Sequence, residues 1–316
     1  MLPSPASDPA LVITRDRWRI GAPNAPTLSL QRQVCKGPAL ADVVYVHGAT
    51  FGADLSVFHR FDGRSWADAL NDAGFNAWGF DFAGYGGSDR HAPDAPAPWG
   101  RRNEAAAQLN RVLAEMRRHS RQPLVLLAHS WGTLVASQVA AEAPAQVAAL
   151  VLFGPIAPRA GAGAPPAPDP QAWHDLTASA QYRRFVSEVP RGEPQVLSEA
   201  HFDAWAAAYL SSDPTSHRRQ PPSVRTPAGP LADVAALWSG QALVDLRRVR
   251  LPTLIVRGAW DTSCDDRDAA MLMRQLGAPL KRDVVIPRAT HLMHLESGRQ
   301  ALHATVNQFL HPLLKP

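Results

Sequence analysis

Residues 123–132 read "PLVLLAHSWG" and give the strongest single indication of the fold. The first half is a short apolar run, which is typical of a strand buried on both faces of a parallel sheet. The following "WGTLVASQVAAEA" is predicted to be a helix that ends before Pro144. Ser130 therefore lies at a sharp strand-to-helix turn, where a hydroxyl can be held exposed at the edge of the sheet.

The residues on either side of Ser130 are compatible with such a turn. Ala128 and Gly132 flank it at two-residue spacing. Both are small, as the turn requires, because it brings strand and helix close together. The pentapeptide "AHSWG" is only moderately specific by itself, since A-x-S-x-G patterns also occur by chance. Ser130 is either an ordinary turn serine or a nucleophile, and the rest of the chain must decide between them.

Strands and helices alternate along most of the chain. "LVITRDRWRI" and "TLSLQRQVC" alternate in polarity and predict a hairpin of half-buried strands. Further strands are predicted for "DVVYVHG", "FNAWGFD", "ALVLFG", "TLIVRG" and "RDVVIP", with helical segments between them. One of these helices, "SWADALNDAG", has Ser65 as its expected N-cap and Gly74 just past its end. This order predicts an α/β fold with a parallel sheet covered by helices on both faces.

A long insertion interrupts the alternation between about Pro155 and Gly240. It opens with the linker "PIAPRAGAGAPPAPDP" and continues with helical pieces rich in large aromatic residues. Ligands of open parallel sheets bind outside the carboxyl ends of the strands, so the insertion is expected to cover the ligand site. The predicted organisation is a core at residues 1–154 and 241–316 and a cap at residues 155–240.

The composition is that of an ordinary globular protein. The 316 residues are 46% hydrophobic and 19% charged, and the net charge of +4 is scattered along the chain. This pattern favours a solvated basic surface over a nucleic-acid site. The sequence contains no apolar run of the ~20 residues that a membrane span needs, and a secretory signal is not expected. Cys35 and Cys264 are expected to be free thiols in a reducing, cytoplasmic compartment.

A serine nucleophile needs an acid that orients its base. In "TLIVRGAWDTSCDDRD", Asp261 is the first acidic residue after a predicted strand and turn. Asp265, Asp266 and Asp268 instead suit the first turn of the next helix, where carboxylates interact favourably with the helix dipole. Asp261 is therefore the expected acid.

The base is expected late in the chain, after the next strand. "VVIPRATHLMHLES" contains two candidates, His291 and His294. His291 directly follows the strand-end loop, which places it better at the carboxyl edge of the sheet. His291 is therefore the expected base, and His294 is the competitor.

Two backbone N–H groups are expected to stabilise an oxyanion. One belongs to Trp131, directly after Ser130, and the other to Ala49, in the loop that follows "VVYVHG". His47 is expected to brace this loop, and His129 is expected to pack, with no proton-transfer role for either. The sequence shows neither a metal-binding His/Glu cluster nor a dinucleotide fingerprint, so no cofactor is expected.

Five segments together resemble the α/β-hydrolase superfamily, in its capped esterase/lipase-like branch. They are "HGAT", "DFAGYGGSD", "AHSWG", "RGAWD" and "ATHLMHLE", which stand in the family's order and, with the flanking elements, span roughly residues 42–311. The resemblance implies an eight-stranded, mostly parallel sheet with a helical cap after the sixth strand. It also implies that Ser130, Asp261 and His291 form a catalytic triad, and that "DFAGYGGSD" is structural.

Departures from related patterns narrow the branch. Ala128 replaces the usual glycine, a change that many relatives tolerate. A serine nucleophile argues against haloalkane dehalogenases and epoxide hydrolases, which use aspartate. "HGAT" lacks the glycine run of the hormone-sensitive-lipase branch and the Gly-Gly-Pro of proline iminopeptidases.

The expected function is hydrolysis of a carboxylic ester of a hydrophobic or aromatic small molecule through an acyl-serine intermediate. Aromatic walls would disfavour a sugar or a highly charged substrate. The expected pocket residues, besides the ring of Trp131, are Thr50, Trp173, Phe202, Trp205 and Trp238.

Several alternatives remain open on the same residues. Carbon–carbon bond hydrolases, lactonases, thioesterases, acyltransferases and a peroxide-using variant could all employ this triad. A ligand receptor with very slow turnover is the alternative from another class. The sequence does not indicate the oligomeric state.

Overall fold

The computed structural model describes residues 15–91, 99–159 and 172–315. The strands in these ranges are β1 (Asp16–Ala22), β2 (Ala25–Gln33), β3 (Ala41–Val46), β4 (Phe75–Asp81), β5 (Leu124–His129), β6 (Ala149–Phe153), β7 (Trp173–Thr177), β8 (Ser223–Pro227), β9 (Thr253–Gly258) and β10 (Lys281–Ile286). The α-helices are α1 (Trp66–Asp72), α2 (Arg102–His119), α3 (Gly132–Glu142), α4 (Ala178–Val186), α5 (Glu199–Ser211), α6 (Gly229–Trp238), α7 (Asp266–Gln275) and α8 (Arg299–Leu314).

The main sheet has eight strands in the order β1-β2-β4-β3-β5-β6-β9-β10. β2 pairs antiparallel with β1 and β4, whereas the other neighbours are parallel. Every residue of β3, β4, β5, β6 and β9 is buried, because helices cover both faces. The predicted fold class, a mostly parallel eight-stranded α/β sheet, is confirmed.

Alternate residues of the central strands belong to two separate cores. Leu126 of β5 faces a cluster that includes residues of α2 and α3. Its neighbours Val125 and Leu127 face a cluster that includes residues of α1 and α8. This alternation is the period of two expected of a strand between two helical layers, and it leaves the strand ends free to carry functional groups.

Two helix starts follow the sequence expectations. Ser65 caps α1, and its side chain accepts a hydrogen bond from the backbone N–H of Asp68. Asp265 caps α7 and shares a capping box with Asp268. The aspartates after Asp261 therefore serve the start of α7, as the sequence indicated.

The residues between β6 and β9 form an inserted segment outside the main sheet. It contains β7, α4, α5, β8 and α6, and β7 pairs antiparallel with β8 as a separate two-stranded sheet. Helical pieces split by the Pro-rich stretch "PPSVRTPAGP" were expected here, so this ribbon was not predicted. Prolines precede β8 and form its last residue, and these are positions that an edge strand tolerates. Residues 11–14 of the predicted first strand and residues 160–170 of the predicted linker lie outside the described residues.

Cys35 and Cys264 are both buried free thiols, as the sequence predicted. Among the described residues, no helix combines the length and apolar character needed to cross a bilayer.

Candidate active site

Ser130 occupies the turn between β5 and α3 in a strained backbone conformation. Its φ angle is +55°, and its N–H donates a hydrogen bond of 2.9 Å to the carbonyl of Phe153. A positive φ is uncommon for a residue with a side chain, and such strain concentrates at functional sites. The local backbone therefore favours a functional serine over an ordinary turn serine.

Glycine at position 132 allows this turn to pack against the chain that follows β3. A Cβ atom there would lie 2.4 Å from the carbonyl oxygen of His47 and 2.6 Å from that of Val46. Both contacts are to backbone, which cannot give way easily. Ala128, two residues before Ser130, is fully buried. The small residues predicted to flank the turn are thus explained by close packing.

The structure brings Ser130, His291 and Asp261 together. Nε2 of His291 lies 2.8 Å from Oγ of Ser130, and Nδ1 lies 3.0 Å from Oδ2 of Asp261. Because the Asp261 carboxylate accepts the Nδ1 proton, Nε2 is left to accept a proton from the serine. The three residues follow β5, β10 and β9, so they meet at the carboxyl edge of the sheet.

Backbone donors hold Asp261 in place. Its Oδ1 accepts hydrogen bonds from the N–H groups of Ser263 at 2.9 Å and Cys264 at 3.0 Å. These bonds fix the orientation of the carboxylate towards His291. Asp261 is thus arranged to stabilise a protonated imidazole.

Gly154, at the end of β6, lies against this pair. Its φ angle is +52°, and a Cβ atom there would lie 2.9 Å from Nδ1 of His291 and 3.1 Å from Oδ2 of Asp261. Such distances are shorter than ordinary contacts, and the left-handed backbone also favours glycine. Position 154 therefore leaves the space in which His291 and Asp261 meet.

His294 is buried and forms no hydrogen bond with Ser130. It packs among the rings of Phe51, His129 and Phe153 at centroid distances of 6.0, 4.6 and 5.2 Å. Neither of its ring nitrogens has a hydrogen-bond partner among the described residues. Burial and the neighbouring His291 lower the pKa of His294 well below its ordinary value. His294 is therefore a neutral packing residue.

His129 and His47 both support neighbouring backbone. Nε2 of His129 donates to the carbonyl of His291 at 3.0 Å, while its ring stacks on Phe153. Nδ1 of His47 donates to the carbonyl of Gly48 at 2.8 Å, and its Nε2 accepts the N–H of Phe82 at 3.0 Å. Burial lowers the pKa of His47 to about 4. His47 thus braces the loop after β3, as expected, and His129 helps to position the His291 backbone.

Ser130 and His291 open into a cavity of about 210 Å³ between the core and the inserted segment. Thr50 and Trp238, two of the expected pocket residues, line it, as does Ala49. The core contributes Ala49, Thr50, Ser130, Ser263 and His291, and the inserted segment contributes Ile156, Leu176, Ala180, Gln181, Arg184, Leu231, Val234 and Trp238. The lining surface is mostly apolar, and its polar residues besides Ser130 and His291 are Thr50, Gln181, Arg184 and Ser263.

Three of the expected pocket aromatics do not line this cavity. Trp205 packs against Phe51 and donates its Nε1–H to the carbonyl of Leu55 at 3.0 Å. Phe202 belongs to the same buried cluster. Trp173 packs against Trp99 and lines a different cavity. Their rings instead join the inserted segment to the core, so these predictions were wrong.

The ring of Trp131 was also expected to line the pocket, and it does not. It is 1% exposed, packs against Phe82, and donates its Nε1–H to Asp233 at 3.0 Å. Asp233, on α6, also accepts the N–H of Arg102 at 2.7 Å. Sequence reasoning missed Asp233, although an acidic residue in the apolar stretch "GPLADVAALW" was a usable signal.

Glu188, just after α4, joins the loops that carry His291 and Asp261. It accepts the N–H of His291 at 2.7 Å. It also accepts both the N–H and the hydroxyl of Thr262, at 3.0 and 2.6 Å. The sequence gives no sign of this contact, because Glu188 and His291 are 103 residues apart.

Comparisons with known proteins agree with this architecture. The family model described as serine aminopeptidase, S33, matches residues 40–298. No sequence among the curated proteins is significantly similar to the chain.

Solved structures with similar folds cover nearly the whole chain. A thermophilic esterase from Thermogutta terrifontis is 19% identical, with a TM-score of 0.61 over 95% of this chain and 100% of its own. An esterase from Exiguobacterium antarcticum is 16% identical, with a TM-score of 0.63 over 93% and 98%. A thioesterase domain from the curacin biosynthetic pathway is 17% identical, with a TM-score of 0.64 over 93% and 99%. These identities establish likeness of fold alone.

Proposed function

The chain belongs to the serine aminopeptidase S33 family of α/β-hydrolases, and on this basis we propose that it hydrolyses carboxylic esters of small molecules through an acyl-serine intermediate. The observation that carries the proposal is the continuous set of hydrogen bonds from Asp261 through His291 to Ser130. This set opens into a cavity large enough for a small substrate.

The proposed mechanism begins with attack of Ser130 Oγ on the ester carbonyl. His291 takes the serine proton on Nε2, while Asp261 stabilises the imidazolium through Nδ1. His291 then donates that proton to the leaving alkoxide, which departs as the alcohol. A water molecule, deprotonated by His291, hydrolyses the acyl-serine and regenerates Ser130.

The backbone N–H groups of Trp131 and Ala49 are the proposed oxyanion donors. Trp131 directly follows the nucleophile, and Ala49 lines the cavity beside it. The carbonyl of Ala49 accepts the hydroxyl of Tyr85 at 2.6 Å, which helps to fix this loop before a substrate arrives. Loss of one such donor costs about 2.7–4 kcal/mol of transition-state stabilisation.

Residues 155–240 are proposed to act as a cap over the cavity, and residues 1–154 and 241–316 are proposed to form the core. It supplies more than half of the residues that line the cavity. The apolar walls support a substrate with a hydrophobic portion, and the volume favours a compact one. A cytoplasmic location remains part of the proposal and is supported by the two free cysteines.

A matched set of acyl donors tests the proposed reaction. The purified protein is assayed with p-nitrophenyl butyrate, a butyryl thioester, a butyryl anilide and a lactone, and the four values of kcat/KM are compared. We expect steady turnover with the p-nitrophenyl ester ahead of the other three. Absence of turnover of every donor, or a clear preference for the anilide, would contradict the proposed reaction.

Gly154→Ala is expected to lower kcat by roughly 100-fold or more, because the new methyl group displaces His291 or Asp261. Gly37→Ala is the matched control, since Gly37 also has a positive φ of +80° but no atom of the described residues within 4 Å of its Cβ position. Both variants carry the backbone strain of a positive φ, and Gly154→Ala, which also meets His291 and Asp261, should lower the melting temperature more. Equal activity in the two variants would contradict the assignment of position 154.

Glu188→Ala is expected to lower kcat about 10- to 100-fold with little change in KM, because hydrogen bonds to a charged group contribute about 1.5–3 kcal/mol. The loss reflects looser loops around His291 and Asp261. Glu188→Gln should recover part of kcat, since its amide oxygen still accepts one of these bonds. Glu193→Ala, which removes an exposed ion pair to Arg288, is the control. If kcat of Glu188→Ala stays within twofold of wild type, Glu188 does not position His291 and Asp261 for the reaction.

A further inference from the structure

Arg184 places a positive charge in the wall of the Ser130 cavity. It is the one Lys, Arg, Asp or Glu side chain among the described residues that line this cavity. It lies on α4 of the inserted segment, and its neighbours along the wall are Ala180 and Gln181. A cationic group in a mostly apolar cavity needs a partner, because removing a charge from water is costly.

The described residues supply no ion-pair partner for Arg184. Among the described residues, no carboxylate oxygen lies within 4 Å of its guanidinium nitrogens. Glu188, an acidic residue just after α4, accepts hydrogen bonds from the backbone of His291 and from Thr262 instead. Burial lowers the pKa of Arg184, although the charges of Glu188 and Asp261 partly oppose this effect. An arginine guanidinium stays protonated in proteins, so Arg184 is a cation without a direct counter-ion among the described residues.

The hydrogen bonds of Arg184 leave most of its donors available. One terminal nitrogen donates to the hydroxyl of Thr50 at 2.8 Å and, more weakly, to Gln181 at 3.4 Å. The other guanidinium nitrogens have no hydrogen-bond partner among the described residues. Arginine presents its donors as a planar fork that matches a carboxylate. The contacts to Thr50 and Gln181 hold the fork at the cavity wall.

We propose that Arg184 binds a carboxylate of the substrate while the ester of the same molecule reaches Ser130. The substrate class is a carboxylate-bearing ester, such as a monoester of a dicarboxylic acid, whose carbon chain lies along the apolar wall. This inference rests on the proposed ester hydrolysis and narrows it. It also revises the expectation from sequence, which disfavoured charged substrates because of expected aromatic walls, since Trp238 is the one expected aromatic residue that lines the cavity among the described residues.

Matched anionic and neutral esters test this assignment. The monomethyl and dimethyl esters of succinate, glutarate and adipate place the carboxylate on the acyl side at three chain lengths. Butyryl glycolate and its methyl ester place it on the alcohol side. In Arg184→Met, kcat/KM for the best anionic ester should fall about 10- to 100-fold, while kcat/KM for its neutral partner changes less than about threefold.

Two further variants separate binding of the carboxylate from other effects. Arg183→Met removes the exposed neighbouring arginine and should leave kcat/KM unchanged for both the anionic and the neutral ester. Arg184→Lys keeps the charge and should retain part of the preference for the anionic ester. If Arg184→Met lowers the rates for anionic and neutral esters equally, Arg184 only braces Thr50 and the proposal is overturned. The proposal is also overturned if wild type shows no preference for any anionic ester.

A binding measurement distinguishes failure of this inference from failure of the proposed reaction. In Ser130→Ala, calorimetry should show that the preferred monoester binds more tightly than its diester, and that adding Arg184→Met removes the difference. This readout needs no turnover. Equal binding of monoester and diester would overturn the carboxylate site even if the protein hydrolyses esters. If Ser130→Ala still binds the monoester more tightly than the diester but wild type turns over neither ester, the carboxylate site stands and the proposed reaction is overturned.

Discussion

Ser130→Ala is expected to lower kcat for ester hydrolysis by about 10⁴- to 10⁶-fold, because the acyl-serine can no longer form. The substitution removes one oxygen from a residue that is 5% exposed, and the fold should be retained. Residual turnover would come from the oxyanion donors and from substrate binding. Steady-state kinetics with a p-nitrophenyl ester, together with the melting temperature, measures both effects.

Ser137→Ala is the matched control for this experiment. Ser137 is a buried serine on α3, seven positions after Ser130 and outside the lining of the Ser130 cavity. Its substitution should leave kcat near that of wild type. Activity of Ser130→Ala above about one hundredth of wild type would show that another residue carries the reaction.

His291→Ala is expected to lower kcat by about 10⁴-fold or more, because no other base contacts Ser130 among the described residues. The neighbouring histidine provides the comparison. His294→Phe preserves ring volume among the rings of Phe51, His129 and Phe153 and removes no hydrogen bond formed with a described residue. Its kcat should stay within about tenfold of wild type.

The two histidine variants are measured across pH with the same ester. If the His294→Phe protein is folded but loses as much activity as His291→Ala, His294 would be the base in place of His291. Added imidazole should partly restore turnover in His291→Ala, since the space vacated beside Ser130 can hold it. Near-normal activity of His291→Ala without imidazole would remove His291 as the base.

The fold was predictable because its strands carry a strong local pattern. Four of its strands are short, mostly apolar and wholly buried: β3, β5, β6 and β9. A turn residue or a polar group follows each of them in the sequence. Parallel strands place their carboxyl ends at one edge, so the positions of Ser130, Asp261 and His291 in the chain already predicted their proximity. The structure places these side chains within hydrogen-bond distance.

The direction of the aromatic side chains was not predictable. Whether Trp131 or Trp205 faces a cavity depends on partners such as Asp233 and the carbonyl of Leu55, which lie far away in sequence. The helical patterns of the inserted segment identify buried positions without specifying which surface buries them. The position of Arg184 in the cavity wall was not predictable either. A lone arginine in a helix is ordinarily a solvated residue, and only tertiary packing places this one in the cavity wall.

The covalent intermediate proposed for Ser130 can be trapped and located. The protein is mixed with excess p-nitrophenyl butyrate, quenched in acid during turnover, digested and analysed by peptide mass spectrometry. We expect a butyryl group on Ser130 and on no other residue, and none at that position in Ser130→Ala. Turnover accompanied by an acyl group on a different residue would contradict the acyl-serine mechanism.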